Sequence, residues 1–131
     1  MEEKAEFLNW TRSTLLTSDF SSASCSNAIL VNPIFTGSPS SREIYGSAPT
    51  GENAYLGWNR YGISQLAGVP EVVIPLGTVP YLSPVTNTTK QSPVAVSLLA
   101  GYGCDFMLFD LVVALKNARA IPAEVRTGSV M

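Results

Sequence analysis

The length, composition and charge of this chain limit what it can be. Its 131 residues suffice for one small domain, yet charged residues make up 14% of them, against roughly 25% in typical soluble domains. Hydrophobic residues reach 46%, the mean hydropathy is +0.20, and the net charge is −2 without a basic cluster, which argues against nucleic-acid binding. We expect part of the surface to be covered by a partner or by further chain, with residence near a membrane as the alternative.

The N-terminal part of the chain predicts one helix, one strand and long connections. Acidic residues in the first turns and a ragged apolar face predict a helix over residues 2–18. The serine-rich residues 18–26 predict a loop, and residues 27–32 predict a buried strand that Pro33 ends, because proline lacks a backbone N–H. Residues 33–57 carry three prolines and four glycines and predict an irregular connection, which in a small domain is usually functional or packed against something larger.

The following residues predict a helix and then two strands. Residues 59–66 predict a short helix that Gly68 ends in a left-handed conformation. The apolar runs at 72–75 and 94–99 predict two strands that are buried on both faces. The prolines and polar residues of 78–92 predict a loop between them.

A strongly apolar helix is predicted over residues 106–119. Gly101 and Gly103 predict the turn before it, and Asp105 is placed to cap its N-terminus. Because nearly every position of the helix is apolar, we expect it to be buried on more than one side. A membrane-spanning helix over 94–115 is rejected, since Asp105 and Asp110 would each cost about 2.5–3.5 kcal/mol at the bilayer centre.

No residue of the chain is predicted to be catalytic, to bind a cofactor or to bind a metal. The absence of histidine excludes Ser-His-Asp and Cys-His catalysis within the chain. A serine–lysine pair remains chemically possible. The three lysines, however, are interpreted as terminal, solvated and helix-capping in turn: Lys4, Lys90 and Lys116. Three acidic residues are too scattered for a paired-carboxylate site: Glu71, Asp105 and Asp110.

Three pairs of sequence features receive ordinary interpretations. The Gly-Ser stretches at 36–41 and 45–49 lack the phosphate-binding and nucleophile-elbow patterns and are interpreted as turns. Cys25 and Cys104 lack metal-ligand spacing, and we expect two free, buried thiols in a reducing compartment, with a disulfide as the less favoured alternative. Asn9-Trp-Thr and Asn87-Thr-Thr match the glycosylation pattern, but the acidic N-terminus does not resemble a secretory signal, so they are treated as chance matches.

Three blocks of the sequence resemble, in the same order, the C-terminal end of the amidase signature family. The blocks are Gly68-Val-Pro-Glu-Val-Val-Ile-Pro-Leu-Gly77, Ser92-Pro-Val-Ala-Val-Ser-Leu-Leu-Ala-Gly101, and Gly103-Cys-Asp105 with the apolar helix 106–115. Residues 27–33 are similar to the strand that precedes these blocks in the family. Residues 60–119 match best, residues 1–57 match weakly, and the overall pattern is similar to fungal-type members.

The resemblance implies one partial domain over residues 1–131. It would be an α/β fragment of the amidase fold, with a few strands of a mixed sheet packed by helices and with long irregular loops. The catalytic Ser, cis-Ser and Lys of the family lie in a Gly-Ser-rich region N-terminal to these blocks. This sequence lacks that region, so no catalytic residue is carried over. Ala95 and Ser97 replace the family's usual Gly and Gln, which weakens the expectation that substrate approaches the backbone there.

Two functions follow as hypotheses. The chain is a C-terminal segment of an amidase-family hydrolase, inactive alone, whose partner is the missing N-terminal region that completes a site for small amide substrates. Alternatively, it is a free-standing, non-catalytic interaction protein that oligomerises or binds a partner through apolar surface. Both hypotheses include an intracellular, cytoplasmic location, no cofactor and no nucleic-acid partner.

Overall fold

The fold belongs to the α/β class expected from the sequence. The computed structural model describes residues 2–21, 24–37 and 62–128. Its elements, in chain order, are α1 (Glu2–Trp10), a π-helix (Thr11–Leu15), β1 (Ser18–Asp19), β2 (Cys25–Ser26), β3 (Leu30–Phe35), α2 (Ile63–Ala67), β4 (Glu71–Leu82), β5 (Thr89–Leu99) and α3 (Asp105–Asn117). The predicted irregular connection lies outside the described residues from position 38 onwards, as do the second Gly-Ser stretch and most of the first.

The main sheet has three strands in the order β3-β5-β4. Both pairings are antiparallel, with Leu99 of β5 opposite Leu30 on one side and Glu71 on the other. The mixture of parallel and antiparallel strands that the resemblance implies is therefore not present in the described part of the sheet. The strands β4 and β5 form a long hairpin that ends at the pair Leu82 and Thr89.

Three strands extend beyond the positions that the sequence predicted, because each of them continues through a proline. The structure continues β3 through Pro33. It replaces most of the predicted loop at 78–92 by hairpin strands that contain Pro80, and a turn remains over 83–88. Gln91 exchanges both backbone hydrogen bonds, each 2.9 Å long, with Gly128, so alternate residues of β5 direct their backbone groups away from β4. Pro80 lies opposite Gln91, and Pro33 lies opposite a residue of the other alternation, so neither needs an N–H for its ladder.

Two β-bulges flank the same point of β5. Ile34 has no partner on β5, because Pro33 lies opposite Val96 and the next paired residue of β3 lies opposite Ala95. Leu76 is likewise skipped in β4, between residues that pair with Ala95 and Val94. Both outer strands therefore bend at the level of Ala95.

The helices cover the two faces of the sheet. On one face α3 packs over a core that contains Ile74, Leu98 and Leu108. On the other face the N-terminal helical segment and α2 enclose Leu16 and Leu99. The prediction that β4 is buried on both faces is wrong, since Val73, between buried Ile74 and half-buried Val72, is 55% exposed.

The N-terminal helix changes its winding before it ends. The α-helical part stops at Trp10, and five residues of π-helix follow, closed by a 2.8 Å hydrogen bond from the Leu16 N–H to the Thr11 carbonyl. The helix predicted over residues 2–18 is thus confirmed in position but ends earlier. The serine-rich segment after it is not only loop, because β1 and β2 pair there as a two-residue ladder.

The role predicted for Gly68 at the end of α2 is confirmed, whereas the role predicted for Asp105 as the N-cap of α3 is wrong. Gly68 has φ +59 and ends α2 in the left-handed conformation that was predicted. Asp105, in contrast, lies in the first turn of α3 and does not cap it; Cys104 occupies the N-cap position without a side-chain hydrogen bond. Asp105 still places its negative charge at the helix N-terminus, where the macrodipole favours it.

Candidate interaction surface

One face of α3 carries large apolar side chains that this chain leaves exposed. Phe106, Phe109 and Val113 are 80%, 57% and 57% exposed, whereas Leu108 on the inner face is 1% exposed. Their spacing of three and four residues places them along one side of the helix. The expectation that α3 is buried on more than one side is therefore wrong for the described chain, because the sheet covers only the side that includes Leu108.

The exposed face of α3 continues across the turn that precedes the helix. The rings of Phe106 and Phe109 meet edge to face, with centroids 6.4 Å apart. Phe20, from the segment after β1, is 71% exposed and lies so close to Gly103 that a Cβ there would be 3.1 Å from its ring. Gly103 has φ +77, so glycine suits both the conformation and the contact. We call Phe20, Phe106, Phe109 and Val113 the outer aromatic surface.

A surface cavity of about 350 Å³ lies beside the outer aromatic surface. Its lining includes both half-cystines, the ring of Phe106 and the carboxylate residue Asp110. Apart from Asp110, the lining offers aromatic, thioether and disulfide groups, which suit an apolar side chain better than a polar substrate.

The turn before α3 is fastened to the β1–β2 segment by a disulfide and by hydrogen bonds. Cys25 and Cys104 are joined, with their Cα atoms 5.8 Å apart. The buried Ser26 Oγ accepts a 2.8 Å hydrogen bond from the Gly101 N–H and donates to the Ala28 carbonyl at 2.7 Å. Ser18 Oγ donates to the Tyr102 carbonyl at 2.8 Å.

The prediction of two free thiols is wrong. The two cysteines are 79 positions apart, and the fold brings them together where Ser26 of β2 accepts the hydrogen bond from Gly101 in the turn before α3. Nothing in the local sequence around either cysteine reports that long-range contact. The signal that could have pointed to it is weak: each cysteine lies beside serine or glycine residues that form the fastened turn.

The titratable residues considered from the sequence are distributed over separate elements. Lys4 lies on α1, Lys90 on β5 and Lys116 in the last turn of α3, so they do not converge. Glu71 accepts a hydrogen bond from Ser64, which ties the start of β4 to α2. Within the described ranges, no three His, Cys, Asp or Glu residues are grouped as metal ligands would be.

The two departures from the family pattern lie inside the sheet. Ala95 is the residue of β5 that the two bulges flank. Ser97 is fully buried on the face that also carries Leu99, and its hydroxyl has no hydrogen-bond partner among the described residues. Because it is enclosed, Ser97 is not accessible to a substrate in this structure.

No protein-family model and no solved structure matches the chain. In the described ranges, no helix has both the length and the apolar character needed to cross a membrane.

Proposed function

We propose that this chain is the C-terminal portion of an amidase signature family hydrolase. The observation that carries the proposal is the order of the three resembling blocks: each falls on a successive element, β4, β5 and then α3, of one packed unit. In the proposed whole enzyme this unit supplies sheet strands and a packing helix. The Ser, cis-Ser and Lys that cleave the amide would come from polypeptide N-terminal to the blocks, which is the partner that covers the outer aromatic surface.

The test is the native mass and activity of the polypeptide that carries residues 68–115. We would isolate it from its source cells with an antibody raised to that segment, measure its mass, and assay hydrolysis of simple carboxylic amides. We expect a mass far above the 14.0 kDa of the chain and labelling of a serine outside it by a serine-reactive phosphonate probe. Amide hydrolysis by the 131-residue chain alone, kept in Lys4→Ala, Lys90→Ala and Lys116→Ala variants, would contradict the proposal.

A second candidate is a free-standing, non-catalytic interaction protein. The exposed Phe106 and Phe109 favour it, since contiguous apolar surface rimmed by polar residues marks interaction sites. This candidate requires that the polypeptide itself is the 14.0 kDa chain, and that the isolated chain forms a stable assembly of larger mass in sedimentation experiments. Phe109→Ser should then dissociate the assembly, whereas Leu82→Ser, exposed at the far end of the β4–β5 hairpin, should leave it intact.

The disulfide argues against the cytoplasmic location that the sequence predicts. A cytoplasmic location remains a prediction from the sequence. A structural disulfide is rare in that compartment, because thiol-based reductants keep cysteines reduced there. Neither function depends on the location, so both proposals stand with the chain in an oxidising compartment.

A further inference from the structure

The disulfide belongs to the packed centre of the molecule. Cys104 is 1% exposed and lies in the same core as Ile74, Leu98 and Leu108. Its neighbour Gly101 is held by Ser26, next to Cys25 in sequence. Such a link forms by oxidation of two thiols, and disulfides of this kind form and persist in oxidising compartments.

Proteins that fold in the oxidising secretory compartment of a eukaryotic cell also meet the machinery of N-linked glycosylation. That modification requires Asn-X-Ser/Thr on an accessible surface segment. The sequence holds two such motifs, at Asn9 and at Asn87. Their structural settings differ.

Asn87 lies in the exposed turn that joins β4 to β5. Ser83 and Thr88 close the turn with a 3.0 Å backbone hydrogen bond, and the Asn87 N–H donates to the Ser83 carbonyl at 2.9 Å. Asn87 has φ +50, a left-handed conformation that asparagine tolerates well. Asn87, Thr88 and Thr89 are all exposed, so both the asparagine and the threonine of the motif lie at the surface.

The other motif has only one of its two functional groups at the surface. Asn9 is exposed on α1, but Thr11 is fully buried in the π-helix. A glycosyltransferase recognises the hydroxyl residue as well as the asparagine. Asn87 is therefore the better acceptor of the two in the folded chain.

We propose that the protein matures in an oxidising secretory compartment, where Cys25 and Cys104 are joined and Asn87 carries an N-linked glycan. In the first step two thiols lose two protons and two electrons to the disulfide of an oxidised dithiol carrier protein, which is reduced to its dithiol. In the second step Asn87 Nδ2 forms a bond to the anomeric carbon of a lipid-diphosphate-linked oligosaccharide. The carbon–oxygen bond to the diphosphate breaks, the diphosphate leaves with the electron pair, and the amide nitrogen loses one proton to a base.

The experiment uses the native polypeptide from its source cells. It is alkylated without reduction, digested, and examined by mass spectrometry before and after treatment with peptide-N-glycosidase. We expect a Cys25 peptide linked to a Cys104 peptide, and an Asn87 that the glycosidase converts to aspartate. In the same cells, Thr89→Ala should abolish the glycosidase-sensitive shift in gel mobility, while the matched Thr89→Ser variant should keep it.

Two results would overturn the proposal: alkylated Cys25 and Cys104 before reduction, or an Asn87 without a glycan, whether or not Asn9 carries one. The outcome is separate from that of the proposed function. Native mass and amide hydrolysis test the amidase assignment, whereas thiol state and glycan occupancy do not depend on it.

Discussion

At the residue scale, Arg12 joins three parts of the structure. Its Nε and one terminal nitrogen donate to the carbonyls of Ala67 and Gly68, each at 3.0 Å. Its guanidinium also stacks over the Tyr102 ring, 3.9 Å from the centroid. The side chain thus satisfies the C-terminal carbonyls of α2 and links that helix to the turn before α3.

Replacing Arg12 by lysine should therefore destabilise the fold although the charge is kept. An ammonium group cannot reproduce the planar fork or the ring stacking, so we expect a loss of about 1–3 kcal/mol in the free energy of unfolding. Urea denaturation would measure it. The matched control is Arg126→Lys, which removes an exposed ion-pair geometry with Glu124 and should change stability by less than about 0.5 kcal/mol. Equal effects of both variants would refute the role of Arg12.

Gly101 offers a second test at this scale. A Cβ on Gly101 would lie 2.5 Å from Ser18 Oγ and 3.0 Å from the Thr17 carbonyl oxygen, whereas a Cβ on Gly62 would have no described residue within 4 Å. Gly101→Ala should cost about 1–3 kcal/mol through overpacking, and Gly62→Ala should be near neutral. Thermal unfolding of the two variants, compared with the parent chain, gives the answer. A Gly101→Ala variant as stable as Gly62→Ala would show that the turn is not packed as described.

At the element scale, α3 separates a structural side from an exposed side. Leu108→Ala should lower the free energy of unfolding by about 2–5 kcal/mol, because it leaves a cavity under the helix. Phe109→Ala should lower it little, since its ring is already more than half exposed. Binding of a hydrophobic fluorescent dye to the isolated chain should fall with Phe109→Ala. Unchanged dye fluorescence would mean that the outer aromatic surface is not accessible in solution.

The elements also show how far the sequence alone could reach. Gly68, the apolar half of β5 at 94–99 and α3 were predictable, because a left-handed cap and long apolar runs are local signals. The extent of β4 was not, because whether Pro80 interrupts a strand depends on which way its partner Gln91 directs its backbone groups. The exposed side of α3 was also out of reach, since an apolar composition says what prefers burial and not what is available to cover it.

At the scale of the whole molecule, the disulfide closes a large loop of the chain. The joined cysteines are 79 residues apart. In the chain-entropy account, closing a loop of that length raises the free energy of the unfolded state by about 4–5 kcal/mol. Reduction, or a Cys25→Ala/Cys104→Ala double variant, should lower the free energy of unfolding by up to this amount. Denaturant titrations with and without reductant would measure the difference. A stability that reduction leaves unchanged would contradict a structural role for the link.

At this scale, the sequence predicted that an apolar interaction surface exists but not where it lies on the molecule. The low charge and high apolar content predicted that a partner or further chain covers part of the surface. They could not indicate which surface, because Phe20 lies beside Gly103 in the turn before α3, and that turn depends on contacts between distant parts of the chain.

The paired bulges at Ala95 divide the sheet into two parts that differ in local stability. On one side of them lie both cores and the disulfide, and on the other lies the hairpin with exposed Leu82 and Val85 at its end. Fluctuations can therefore unzip the hairpin from its turn as far as the bulges without disturbing the packed half. Amide protons near Lys90 should exchange with deuterium through such partial openings, while that of Leu98 should exchange only when the whole molecule unfolds. The end of the β4–β5 hairpin would thus open and close locally while the packed half of the molecule stays folded.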